Sequence, residues 1–344
     1  MEKEARIVRT DPTMKEVAER AGVALSSVSR VLNDHPDVSD DMRSRVLSSI
    51  TDLGYEPNLL ASSLRRGASY TIGLIVTDIA NPLFAEIVGG AERTLDEAGY
   101  AAVLTHSEGS PDRDEEMLRL LRWRQVDGLI VSIADETRAG TIQELNRFEG
   151  PCVLLDRNIS RLSASAVVAD HAWGMREAVD HLLELKHRRI ALLTGSRKLR
   201  PSRERLRAFR AAYKKRRLKP PEDLIRLGSF SPDFGEQVTA ELLDSDRPPT
   251  AIIAGGNRIL VGVLRTLQRN RVKVGKDLAL ISCDDIPLSE LYAPPITVVA
   301  RDNRLQGQIA AELMLERLQG KDPGPRRVVI PTELVLREST YKLN

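Results

Sequence analysis

From Thr71 onward the chain alternates short β-rich runs with helical stretches, and that alternation leaves few folds open. The runs lie at 71–77, 101–106, 128–132, 152–155, 165–169, 189–194, 251–254, 278–283 and 296–300. Segments such as 83–98, 174–185, 203–217 and 257–269 between them repeat apolar residues at helical spacing. Parallel strands need a crossover long enough for a helix, so strand–helix alternation predicts a parallel sheet covered on both faces. There is enough chain here for two doubly wound lobes.

The first sixty-odd residues read differently. Thr13 followed by Glu16 forms a capping box, so a helix is expected to begin at Met14, turn Val17 and Ala18 inward and stop at Gly22. A second helix carries Val28, Val31 and Leu32 on one face. Its other face holds Leu25, Ser26, Ser27, Ser29 and Arg30, groups suited to a major groove. Ser39 caps a third helix with Met42, Val46, Ile50 and Leu53 at helical spacing, ended by Gly54. The segment Tyr55-Glu-Pro-Asn-Leu-Leu-Ala-Ser-Ser-Leu-Arg-Arg-Gly67 is too short to hold a helix alone in water, which predicts a helix formed on binding.

The motifs V-A-x-x-A-G-V, S-x-V-S-R-V-L-N, L-G-Y-x-P-N and L-R-x-G resemble the lactose-repressor (LacI/GalR) family of bacterial transcription regulators, and the resemblance spans nearly the whole chain. It implies a helix-turn-helix headpiece and a core similar to periplasmic sugar-binding proteins. By that resemblance Leu25, Ser26 and Arg30 occupy base-reading positions, and Thr13, Ser29, Asn33, Ser39 and Tyr55 backbone-contacting ones. Leu64 matches a hinge leucine that wedges into the minor groove, with Asn58 and Ala61 on the same helix. Ala24 departs from the usual Ser or Thr and removes a cap, about 1 kcal/mol of helix stability.

The expected organisation is a flexible arm at 1–12, a helix-turn-helix domain at 13–56, a hinge at 57–68 and an effector-binding and dimerisation core at 69–344. Within the core, one subdomain takes about 69–168 and 301–330, the other about 169–300 and 331–344. The expected partners are a double-stranded DNA operator, a sugar-like small molecule and a second copy of the chain.

Composition adds limits. The net charge of +2 provides no global field toward nucleic acid, and residues 1–67 hold ten Lys plus Arg against eleven Asp plus Glu. DNA affinity would therefore have to come from a local basic face. No signal sequence and no membrane-spanning run is read, which points to the cytoplasm. Cys152 and Cys283 stand in apolar runs and read as buried structural thiols rather than a zinc motif or disulfide framework.

Open α/β sheets bind ligands at the carboxyl ends of their strands. There the chain has neither G-x-G-x-x-G nor a phosphate-binding G-x-x-x-x-G-K-[ST] loop, so no nucleotide cofactor is expected. The strand ends instead supply Asp78, Asn81, Phe84, Asp156, Arg157, Asp170, Arg205, Asn257, Asp284 and Arg301. Carboxylates and guanidinium forks can pair with vicinal hydroxyls while an aromatic covers a sugar face. Asp78, Asn81 and Asp170 also read as helix caps.

Arg205, Asp284 and Asp156 match recurrent effector positions of the family. Gly255-Gly-Asn257, Ser282-Cys283 and Lys186-His187 depart from its usual pattern. The five histidines have no metal-ligand spacing and there is no nucleophile elbow, so no enzyme and no metal are expected. Only His106, at a strand end, is a further candidate for the cleft. The run Lys214-Lys-Arg-Arg217 reads as a solvated helix face. A transporter's sugar-binding module and a regulator answering to a protein partner are the alternatives to an effector-controlled repressor.

Overall fold

The computed structural model describes residues 12–32, 35–55, 68–321 and 324–343. It falls into two compact units, Met1–Ser69 and Tyr70–Asn344. Asn33, Asn58, Ala61 and Leu64, and the arm up to residue 11, lie outside the described residues.

In the first unit, helix α1 (Met14–Ala21) starts where the capping box places it. The Thr13 hydroxyl accepts from the Glu16 amide at 3.3 Å, and the Glu16 carboxylate accepts from the Thr13 amide at 2.6 Å. Gly22 ends the helix at φ 64°, a left-handed conformation that favours glycine. Helix α2 (Leu25–Leu32) follows without a side-chain cap. Ala24 offers only its carbonyl, which accepts from the amides of Ser27 and Val28. Helix α3 (Asp40–Leu53) is capped by Ser39 and closed by Gly54. Val17, Val28 and Val46, all fully buried, bring the three helices onto one small core that Tyr55 completes.

Among its described residues, the second unit holds twelve strands in two six-stranded sheets. The first contains β1 (Thr71–Val76), β2 (Ala101–His106), β3 (Gly128–Val131), β4 (Cys152–Leu155), β5 (Ser165–Ala169) and β11 (Arg327–Ile330), in the order β11-β5-β4-β3-β1-β2. The second contains β6 (Ile190–Gly195), β7 (Ile225–Gly228), β8 (Ala251–Ala254), β9 (Ala279–Cys283), β10 (Thr297–Ala300) and β12 (Glu333–Val335), in the order β12-β10-β9-β8-β6-β7. Every pairing is parallel except β10 with β12. The central strands are buried along their whole length, which is why they read as unbroken apolar runs rather than alternating ones.

The connecting helices are α4 (Pro82–Glu97), α5 (Pro111–Trp123), α6 (Ala139–Asn146), α7 (His171–Glu184), α8 (Arg200–Lys215), α9 (Pro232–Leu243), α10 (Asn257–Arg269), α11 (Pro287–Leu291) and α12 (Asn303–Leu318). Two start earlier than their apolar spacing predicts. Asp170 caps α7 through the Trp173 amide, so that helix begins at His171 rather than 174, and Pro201 in the first turn of α8 moves its start to Arg200 rather than 203.

The chain passes between the sheets three times: after β5, after β10 and after β11. Two of these crossings are tied together. The Thr332 hydroxyl donates to the Asp170 carbonyl at 2.8 Å and accepts from the Gly174 amide at 3.0 Å, while the Asp170 amide donates to the Ile330 carbonyl. Helices α4 and α12 approach closely because Gly90 and Gly307 face each other's backbones. A Cβ at Gly90 would strike the Arg304 carbonyl, and one at Gly307 that of Ile87.

Candidate functional site

Two surfaces collect the residues singled out in the sequence. On α2, Val28 and Val31 point into the headpiece core while Leu25, 51% exposed, stands on the opposite side with Ser26 and Arg30. Ser27 and Ser29 are half-buried beside them. Thr13 and Ser39 are exposed and cap α1 and α3, and Tyr55 is buried in the core. A large apolar side chain, small hydroxyls and a guanidinium thus share one side of a short helix, groups able to contact base edges.

The second surface is the cleft between the two sheets. Asn81, Phe84, Asp156, Arg157, Arg205, Asn257, Asp284 and Arg301 line an inner cavity of about 570 Å³ that is partly open to solvent. Asp78 lines an outer cavity of about 1050 Å³ that also takes in Asn81 and Arg157. The strand ends of both lobes therefore converge, as the open-sheet rule requires.

An ion-pair chain runs through the inner cavity. Arg301, at the second crossing, contacts Asp156 through Nη1 and Asp284 through Nε at 3.2 Å. Asp156 also accepts from the Ala169 amide at 2.8 Å and meets Arg200 at 3.5 Å and His171 Nε2 at 3.2 Å. Arg205 donates to the Gly255 carbonyl at 2.6 Å and lies 3.9 Å from Asp284. Its Nη2 is 3.3 Å from His171 Nδ1. A guanidinium can only donate, so Nδ1 accepts and the His171 proton sits on Nε2, facing Asp156.

Electrostatics follow from this geometry. Burial works against the charge of Asp156, but Arg301 and His171 overcome it and hold the carboxyl well below its ordinary range. Burial likewise opposes the charge of Arg301, and Asp156 and Asp284 together hold its pKa above the usual value. His171 is pushed down to about 4, first by burial and further by Arg205 and Arg301, so it is neutral at pH 7.

Further polar contacts join the lobes in and around the two cavities. Asn257 donates to Asn81 at 2.8 Å, and Asn81 at the same time caps α4 through the Leu83 amide. Arg258 meets Asp78 at 3.4 Å, and Asp78 accepts from the Ala80 amide in the turn before α4. Lys198 pairs with Asp135 at 2.7 Å, and Glu136 takes both the Arg200 amide and the Arg203 guanidinium. Both cap candidates in the cleft are thus turn or cap residues and lobe-to-lobe contacts together.

Comparison with known proteins finds a family match in each of the two units. Residues 13–58 match the model of bacterial regulatory proteins of the lacI family, and residues 179–340 match a periplasmic binding protein-like domain. The HTH-type transcriptional repressor PurR of Vibrio parahaemolyticus is 30% identical over 96% of this chain and 99% of its own length. The ribose operon repressor of Escherichia coli K12 is 33% identical over 89% of this chain and 93% of its own. The chain belongs to the lacI family.

Among solved structures of the family, the lac repressor dimer bound to operator and the anti-inducer ONPF superposes with a TM-score of 0.85. It is 28% identical and covers 96% of this chain and 100% of that one. The departure at Gly256 now has a physical reason. Phe230 stands against it, so a Cβ there would lie 2.9 Å from the ring, and the Arg205 guanidinium sits 6.0 Å from the centroid of the same ring. Cys152 and Cys283 are buried free thiols. Burial pushes Cys152 up to about 12 and raises Cys283, so neither has thiolate character at pH 7.

His106 does not line either cavity. In the basic stretch of α8, Arg207, Arg210 and Arg216 pair with Glu204, Glu222, Asp180 and Glu184, as a solvated face would. Among the described residues no cluster of His, Cys, Asp and Glu could hold a metal, and no helix is long and apolar enough to cross a membrane. Sequence reasoning missed Arg200, His171 and Phe230. Pro201 and the Asp170 cap were the available signals for the first two, and nothing local marks Phe230.

Proposed function

We propose that the protein is a transcriptional repressor acting in the cytoplasm, binding a pseudo-palindromic operator as a homodimer and controlled by a small molecule held between its two lobes. The observation that carries this is the convergence of polar strand ends from both sheets on one cavity in a chain whose α2 presents Leu25, Ser26 and Arg30 to solvent. Two recognition helices of a dimer would enter successive major grooves, and Leu64 would wedge at a central step where unstacking costs least. The names of the relatives, a ribose operon repressor and a lac repressor bound to operator, support a sugar or sugar derivative as effector.

A ligand touching both lobes favours whichever lobe angle it fits better, and so biases the DNA-binding geometry. Induction and co-repression differ only in which state that is. Footprinting on the DNA flanking the gene, with wild type and Arg30→Ala, tests the reading. Loss of operator preference with residual binding to random DNA is expected. Equal losses on both would remove Arg30 from base readout, and no protected site in any flanking DNA would refute the repressor.

A further inference from the structure

Among the described residues, the cleft holds one buried guanidinium with no carboxylate at ion-pair distance. Arg157, 5% exposed, follows Asp156 at the end of β4. Its Nε donates to the Ile133 carbonyl at 2.6 Å and its Nη1 to the Asp156 carbonyl at 3.1 Å, both neutral acceptors. No carboxylate of the described residues comes within ion-pair distance of it, and its Nη2 has no hydrogen bond among them. Burial lowers its pKa, and Glu136, Asp156 and Asp114 offset this only through space.

The other guanidiniums of the cleft have carboxylate partners. Arg301 meets Asp156 and Asp284, Arg205 lies 3.9 Å from Asp284, and Arg200 meets Asp156 and Glu204. In the lining of the inner cavity, the three guanidiniums of Arg157, Arg205 and Arg301 face two carboxylates, and His171 is neutral. Both carboxylates are already engaged by arginines. Arg157, the one of the three with no carboxylate of the described residues at ion-pair distance, lines both the inner and the outer cavity. A buried charge without an ion-pair partner carries a desolvation penalty, which an incoming anion offsets. On the outer side the hydroxyls of Ser229 and Ser231, 2.7 Å apart, line the same space and add groups able to donate to an anionic oxygen.

We propose that the effector is an acid, a small polyhydroxylated molecule bearing a carboxylate or phosphate that pairs with Arg157 where the two cavities meet. Its uncharged body lies in the inner cavity against Phe84 and Phe230. A neutral sugar leaves Arg157 uncompensated. The assignment rests on reading the cleft as the effector site and specifies the charge of what enters it.

The test is a thermal-shift and calorimetric comparison on the full-length protein using matched probes: D-ribose, D-ribonate and D-ribose 5-phosphate; D-glucose, D-gluconate and D-glucose 6-phosphate; and inorganic phosphate. An acid is expected to bind with an affinity at least about tenfold above that of its neutral counterpart, a difference within the range of one charge-assisted hydrogen bond. Arg157→Gln should remove that advantage, and Arg157→Lys, which keeps the charge, should restore part of it. Should Arg157→Gln fail to fold, the lysine variant and the fall of wild-type acid affinity with added salt give the same reading.

A neutral sugar that binds as tightly as its acid, an acid affinity unchanged in Arg157→Gln, or no binding by any acid in the panel overturns the assignment. A neutral sugar whose binding needs Arg205 and Asp284 keeps the cleft and rejects only the charge. A ligand indifferent to Asp284→Asn and Arg205→Gln rejects the cleft itself.

Discussion

Asp156 and Asp284 occupy equivalent places in the two lobes, and the fold treats them differently. Each follows directly on a strand, β4 or β9, with φ of 52° and 71°, a conformation uncommon outside glycine, and each donates its amide to a carbonyl of the next strand. Beyond that the likeness ends. Asp156 meets Arg301, Arg200, His171 and the Ala169 amide, whereas Asp284 has Arg301 at 3.2 Å and Arg205 at 3.9 Å. One aspartate is a junction that holds strands, helices and a crossing together. The other keeps acceptor capacity facing the cavity. Equivalent backbone positions at a cleft can thus divide the work of holding lobes and meeting a ligand.

The largest effect should come from Asp156→Asn. Removing one member of a buried charge cluster leaves Arg301 and Arg200 poorly compensated, and a loss of roughly 3–5 kcal/mol is expected by chemical denaturation. A variant as stable as wild type would break the contrast. Next in size is a pH effect confined to the Asp156 side. His171 titrates at about 4 when folded against 6.5 unfolded, so between those values the unfolded state binds more protons and stability rises with pH, by about 3 kcal/mol in all.

Asp114, pushed up to about 6 by burial, opposes it. There the folded state binds more protons, so stability falls as pH rises from 3.8 to 6. The two act in opposite directions over that window, and the pKa values of His181 and His187, lowered by burial, add to the rising side. Asp114→Asn should expose the rising limb and His171→Gln the falling one, and denaturation midpoints from pH 4 to 7 would measure both. A smaller stability loss than that of Asp156→Asn is expected for Asp284→Asn, because Arg301 keeps Asp156 as its partner and only Arg205 loses its carboxylate. That variant should instead lose the operator response to the effector while apo DNA binding persists. A large fall in its melting temperature would make the two aspartates alike.

How far each part could be read in advance depended on how local its causes are. The headpiece is built from signals within a few residues: Thr13 with Glu16, Gly22, Ser39 and Gly54 all end or start helices where their chemistry demands. The α/β alternation was legible for the same reason, since buried central strands are continuous apolar runs. The short outer strands β7, β11 and β12 were not, because they are only partly buried and carry little apolar signal.

In the cleft, the residue types at strand ends could be named but their partners could not. Arg301 reaches Asp156 across 145 residues and Asn257 reaches Asn81 across 176. Only the folded sheets bring such groups together. That Arg157 has no carboxylate partner among the described residues is legible only once the other arginines of the cleft have been assigned.

The three crossings also govern how the protein is made. The first sheet ends on β11, which pairs Arg327 with Ala166, and the second on β12, which pairs Glu333 with Ala300. During translation the first lobe emerges without β11 and without α12, whose Ala310, Leu313 and Met314 bury its strands and α4. A nascent chain carrying all of β1 to β5 therefore shows the ribosome-proximal environment an unsealed apolar face until Ile330 has emerged. Both lobes are then completed by the single stretch Arg327–Val335. Within the core, the lobe synthesised first cannot finish folding ahead of the one that follows it, and a chain stalled before Arg327 carries neither lobe complete.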